Sequence, residues 1–310
     1  MTRRQFGRLQ AEWRKLQPVP IYFHIYPSDH WMDHFVHAMQ FYLAALAASR
    51  RSRDKVLIPG RHHSPYIRSF LLAVRGIPGV HIADISFREI SKHPHRYDLK
   101  YVRAKEKLST WDGFNAETTR LIRDHILGPS MPRSIGFGRV GIVNRTFNRA
   151  TGAKSEYMSN RILLNAEALK SRVIDQLNLQ VDLVNFDDKT FQYQARFFRE
   201  HDIIISPHGA QLASIPFMGD NGLVIEISSK EYYVDYYFRD LAALSGKSHL
   251  FMCSSHSAEE TNRYDEVGGQ EAARATDVEA NIGTIIAWIK KYMKTIVSKG
   301  GTFGPTVEKI

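Results

Sequence analysis

Residues 202–227 constrain the fold of this chain more than any other stretch, because DIIISPHGAQLASIPFMGDNGLVIEI sets two apolar runs around a small-residue turn. Ile203, Ile204 and Ile205 leave no polar face for solvent, which predicts a strand buried on both sides, as in a parallel sheet. Ser206-Pro207 ends the run, and His208-Gly209-Ala210 stands where a helix can begin. Gly222 precedes the second run, Leu223–Ile227, broken only by Glu226. Strand, turn, short helix and strand make a parallel crossover unit. Ligands of such sheets gather at the carboxyl ends of the strands, where free helix N–H groups face an anion. Gly209 and Ala210 would let a phosphate or sugar come close to the backbone, and His208 could donate a hydrogen bond to it. A tight turn with a locally satisfied histidine fits the same residues, and both readings stand at this point.

On either side of this unit the chain repeats its logic. Strands are predicted at Ile21–Ile25, Val56–Ile58 and Val80–Ile85, with helices at Trp31–Ser49, Tyr66–Val74 and Phe114–Leu127, while Asp98–Ser109 is ambiguous. Gly128–Ser134, GPSMPRS, has the composition of a linker and sets the expected division: a first domain over 1–130 and a second over 131–277. The second series is strand Arg139–Asn144, helix Asn165–Leu177, strand Val181–Asn185, helix Thr190–Glu200, the central unit, helix Tyr236–Ser245 and strand His249–Met252. Ser254–Thr276 reads as a polar loop. Val278–Val297 is a long amphipathic helix, with Ile282, Ile285, Ile286, Ile289 and Met293 at helical spacing. Strands alternating with helices predict an α/β chain with two parallel sheets.

Composition narrows the function. At 310 residues, 43% hydrophobic and 24% charged, the chain can bury ordinary globular cores. No apolar run is long enough to span a membrane, and the first residues lack the apolar core of a secretory leader. The lone Cys253 excludes an internal disulfide, so a cytoplasmic protein is expected, with a trimmed Golgi or ER lumenal domain as the alternative. A net charge of +10 implies an anionic partner. The basic residues are scattered and no nucleic-acid-binding motif occurs, so nucleic acid is not expected, while peripheral contact with an anionic membrane remains open. GxSxG and Walker A loops are absent, which removes the hydrolase and P-loop readings.

The motif SPHGAQLASIPFM followed by LVIEI resembles the signature of glycosyltransferase family 61, in which a His-Gly-Ala loop precedes a strand ending in glutamate. Gln211 replaces the family's second glycine, and Ala213-Ser214 its Thr-Asn pair. The resemblance implies a GT-B architecture, two Rossmann-like domains facing a cleft, with the C-terminal helix 278–298 free to pack back on the first. It implies an inverting, metal-independent transfer from a nucleotide-sugar, a UDP-sugar such as UDP-xylose or UDP-N-acetylglucosamine, to a glycan or glycoprotein hydroxyl. No cofactor is implied beyond that co-substrate, and family frequency favours a pentose. The basic charge suits such a donor. A catalytically inactive module of the same fold, binding glycan or nucleic acid, is the alternative.

The resemblance also assigns residues. HFVHAMQFYL matches the family's first-helix motif and makes His37 the base that takes the acceptor's proton, with His34 or Asp33 orienting it. Read without the family, His30, His34 and His37 share one helix face and fit either a solvated helix start or a weak zinc set. Arg145 and Arg149, then Arg161 after an insertion, resemble the family's arginines, with Arg145 the first candidate and Arg161 the second, and Asn165-x-Glu167 resembles its Asn-x-Glu. Guanidinium groups there would neutralise a leaving diphosphate. Glu226, a carboxylate on a buried strand, needs a partner. The site logic gives it a donor ribose, and the bland alternative is a buried pair with a nearby Arg or Lys. Ser206 and Ser214 are candidate phosphate or base contacts, and Gln211 lines the same loop. No Asp-x-Asp pair is set at a strand end for a divalent cation, so no metal site is expected.

Overall fold

The computed structural model describes residues 21–24, 56–59, 65–75, 80–83, 99–102, 116–128, 138–145, 161–187, 189–230, 232, 236–255, 273 and 276–298. The chain forms two compact units, Met1–Phe114 and Asn115–Ile310. The first contains β1 (Ile21–His24), β2 (Val56–Pro59), α1 (Pro65–Val74), β3 (Val80–Ala83) and β4 (Leu99–Val102). Its four strands run parallel in the order β3-β2-β1-β4, the order of a Rossmann half. Strand β4 lies in the stretch that periodicity left ambiguous. Pairing with β1 from Ile21↔Leu99 to His24↔Val102 fixes it, so tertiary context rather than local pattern makes it a strand.

The second unit carries α2 (Ala116–Leu127), β5 (Arg139–Asn144), α3 (Ala166–Leu177), β6 (Gln180–Asn185), α4 (Phe191–Glu200) and β7 (Ile203–Pro207). A 3-10 helix (Ala210–Phe217), β8 (Leu223–Ser228), α5 (Tyr236–Leu244), β9 (Ser248–Cys253) and α6 (Ile282–Ser298) follow. All five strands are parallel, in the order β6-β5-β7-β8-β9. Alternation splits their side chains between two helical layers. Val140, Ile142, Ile203, Ile205, Leu223 and Ile225 join Leu169 and Val173 of α3 and Ile285, Ile286 and Ile289 of α6 in one core. On the other face Gly141 makes room for α4: a Cβ there would lie 2.6 Å from the Phe197 ring and 2.9 Å from Ile204.

Three sequence expectations shift. Helix α2 belongs with the second unit, because its buried Arg123 donates to Met218 O at 3.0 Å and to Asp220 Oδ1 at 3.1 Å, so the division falls ahead of Gly128–Ser134 rather than in it. The segment after His208 is a 3-10 helix and not an α-helix. Pro216, lacking an N–H, cannot continue an i→i−4 ladder there. The last helix starts at Ile282, since Val278 is drawn into a parallel bridge with Leu163 and the Asn281 side chain accepts from Thr284 N. Its buried face lies in the core of the second unit. Among the described residues no helix is long and apolar enough to cross a membrane.

Candidate active site

In the second sheet the strand order reverses between β5 and β7, and crevices at such switch points are where doubly wound sheets bind ligands. Arg145 follows β5 and His208 follows β7, so both stand at this edge. The Asn144 side chain builds the rim. Its Oδ1 accepts from Arg145 N and Leu163 N, each at 2.8 Å, and its Nδ2 donates to Leu163 O at 3.1 Å. Leu163 is thereby held at the strand end, and Arg161 comes with it. Arg161 adopts φ 45°, the left-handed region that costs a non-glycine residue energy, and its Nη1 donates to His208 O at 2.9 Å. The second arginine bridges the switch point and holds the His-Gly-Ala loop.

Arg145 differs. Burial lowers its pKa, opposed by the charge of Asp187, and no hydrogen-bond acceptor engages its guanidinium among the described residues. A largely desolvated cation without such a partner is costly, and an anionic ligand would relieve it. After the adjacent strand β7 the 3-10 helix opens at Gly209, which has no side chain to cap the first N–H groups. A Cβ at Gly209 would meet Gln211 Oε1 at 2.5 Å. Gln211 Nε2 donates to Pro207 O at 2.8 Å and Ser206 Oγ at 3.0 Å, while Ser206 Oγ donates to Pro207 O at 2.9 Å. Gln211 and Ser206 therefore staple the loop to itself, the work their hydrogen bonds are already committed to. Ser214 is fully buried, its hydroxyl without a hydrogen-bond partner among the described residues.

Two expected contacts are replaced by internal ones. Glu226 is fully buried, with one oxygen bonded to His208 Nδ1 and the other to His249 Nε2 at 2.7 Å, so the carboxylate that was to meet a ribose is occupied by imidazoles. Burial alone would raise its pKa. The bonds from His208 and His249 outweigh that and hold it below the ordinary value. Asn165 donates Nδ2 to Ala280 O at 2.9 Å and accepts at Oδ1 from Ala280 N at 3.0 Å, which spends its amide on anchoring the approach to α6. The structure thus brings together Arg145, Arg161, Ser206, His208, Gly209, Ala210, Gln211 and Glu226, and sets Asn165 to a structural task. Asp33, His34 and His37 lie outside the described residues.

Sequence reasoning missed His249 and Asn144. His249 pairs with Val224 in register, two residues from Glu226, so both side chains share a sheet face as diagonal neighbours. That relation exists only once β8 and β9 are paired.

A parallel sheet whose order reverses where Arg145 and a braced His208 stand defines an α/β unit of the doubly wound type. The sequence profile of glycosyltransferase 61 matches residues 29–225. The chain belongs to that family. It is similar to a Tetraodon nigroviridis protein described as protein O-linked-mannose beta-1,4-N-acetylglucosaminyltransferase 2, at 27% identity over 135 residues. That match takes in 41% of this chain and 23% of the fish protein, so the chain spans under a quarter of the relative's length.

Proposed function

We propose that this chain is an inverting, metal-independent glycosyltransferase that moves a sugar from a UDP-sugar to a hydroxyl of a glycan or glycoprotein. The observation that carries the reading is the placing of Arg145, whose guanidinium is largely desolvated, at the end of β5 beside β7, whose own end bears His208-Gly209-Ala210, where the strand order reverses. In the transfer the acceptor oxygen bonds to the anomeric carbon as that carbon's bond to the β-phosphate oxygen breaks. The acceptor proton passes to a base, the role proposed for His37 with His34 or Asp33 orienting it. UDP departs with the bonding electron pair, and its growing charge is met by Arg145 and the amides of Gly209 and Ala210, groups fixed before the reaction begins. Arg161 acts through the loop it holds. A GT-B architecture, with the first unit supplying acceptor and base, is part of the proposal.

UDP-N-acetylglucosamine and UDP-xylose are the donors to test first, the former because the fish relative's name specifies an N-acetylglucosaminyl transfer. The test is UDP release from each donor with glycan or glycopeptide acceptors, in the presence of EDTA. Turnover is expected to persist in EDTA and to fall by roughly 100- to 1,000-fold in Arg145→Ala, the scale of losing one preorganised charge-stabilising donor. Activity lost to EDTA and restored by manganese would overturn the metal-independent reading. Undiminished turnover in Arg145→Ala would overturn the site.

A further inference from the structure

Glu226 is the one carboxylate of the second sheet with no exposure at all, yet it is placed at the site edge with both oxygens taken by histidines from separate elements, His208 after β7 and His249 in β9. An ionised carboxylate only accepts hydrogen bonds. The nitrogens facing it must therefore be N–H groups: Nδ1–H on His208 and Nε2–H on His249. Every other attachment of His208 is fixed too. Its N–H donates to Ile227 O at 2.7 Å, its carbonyl accepts from Arg161, and its ring sits between Tyr232 and Phe238 at centroid distances of 5.3 and 5.2 Å. The side chain keeps 11% exposure, and among the described residues Nε2 has no partner.

A turn histidine that needs only local satisfaction does not call for a buried carboxylate braced by a second imidazole. Burying that charge is costly unless it is hydrogen-bonded, and the two imidazole N–H groups supply those bonds. His249 also falls beyond residue 225, where the family profile ends.

We propose that Glu226 and His249 are positioning residues for His208: they lock its ring with Nδ1–H turned into the protein and leave Nε2 as the ring atom that meets a phosphate oxygen of the bound nucleotide. This rests on the nucleotide-sugar reading above. The arrangement fixes the ring in advance with Nε2 facing the site, and Nε2 donates to a phosphate oxygen once it too carries a proton, the form that an anionic ligand favours.

Long-range proton–nitrogen spectra of the 15N-labelled full chain test it, with the rings assigned from His208→Gln and His249→Gln. His208 is expected as the Nδ1–H form in the free chain, with its Nε2 resonance moving to the protonated position when UDP is added. Glu226→Gln is expected to lose that tautomer preference and to bind UDP roughly 10- to 100-fold more weakly, the range for one hydrogen bond to a charged group. His249→Gln, which keeps a donor toward Glu226, is expected to show a smaller loss and serves if Glu226→Gln does not fold. A bare Nδ1 in the wild type, or variants with unchanged tautomer and affinity, would overturn the proposal. UDP binding that leaves His208 Nε2 unmoved would overturn it while leaving the nucleotide reading intact. A wild-type chain that binds no UDP would overturn the nucleotide reading, and this proposal with it.

Discussion

Glu226 shows what one residue can carry. Its folded carboxyl lies below the ordinary value of 4.5, so its contribution to stability is full above the unfolded pKa and is lost as pH falls through the folded one. Glu226→Gln should therefore melt below wild type at pH 7, with the gap closing on acidification; a gap constant across pH would contradict the account. Lys247 works in the opposite sense. Burial pushes its ammonium down to about 8 against an ordinary 10.5, although Asp220 stands 3.6 Å away. Between those values the unfolded chain binds the proton that the folded chain gives up, so this group makes stability rise with pH across that window. At neutral pH the buried charge is a cost, because Asp220 is 61% exposed and screened. Lys247→Met is expected to raise Tm at pH 7, and a lowered Tm would show the ion pair to be net stabilising. From sequence, Glu226 announced itself by breaking an apolar run. Its partners did not, since His208 lies eighteen residues away and His249 twenty-three.

At the scale of elements, the runs Ile203–Ile205 and Leu223–Ile227 were legible because a strand buried on both faces has no polar alternation to lose. Strand β4 was not, since Lys100 gives Leu99–Val102 no continuous apolar face and pairing with β1 decides it. The same limit hid the role of Asn165: its contacts with Ala280 are 115 residues distant in sequence. Asn165→Ala removes both bonds to Ala280 and should cost about 1–3 kcal/mol, read by denaturant unfolding, with exchange of the α6 amides accelerated. Gly141→Ala drives a methyl into the Phe197 ring under α4 and should cost a similar ~1–3 kcal/mol. Wild-type stability in Gly141→Ala would mean that α4 stands off the sheet.

For the whole molecule, alternation of strands and helices was enough to foresee two parallel sheets, and their orders β3-β2-β1-β4 and β6-β5-β7-β8-β9 are those of doubly wound units. The placing of α2 was not foreseeable from Gly128-Pro129, because the buried Arg123 that commits this helix to the second unit bonds a carbonyl ninety-five residues on. The order of the second sheet is what puts Arg145 and His208 on adjacent strand ends, and hence makes a site from residues that the sequence could only nominate one by one. The most direct test of that site is the thermal shift of the full chain with UDP in EDTA, for wild type and Arg145→Ala. Wild type should gain stability equivalent to ~2.7 kcal/mol at about one hundred times its dissociation constant, and Arg145→Ala should lose most of that gain at the same UDP concentration. An equal shift in both proteins would contradict the claim that this arginine receives the diphosphate.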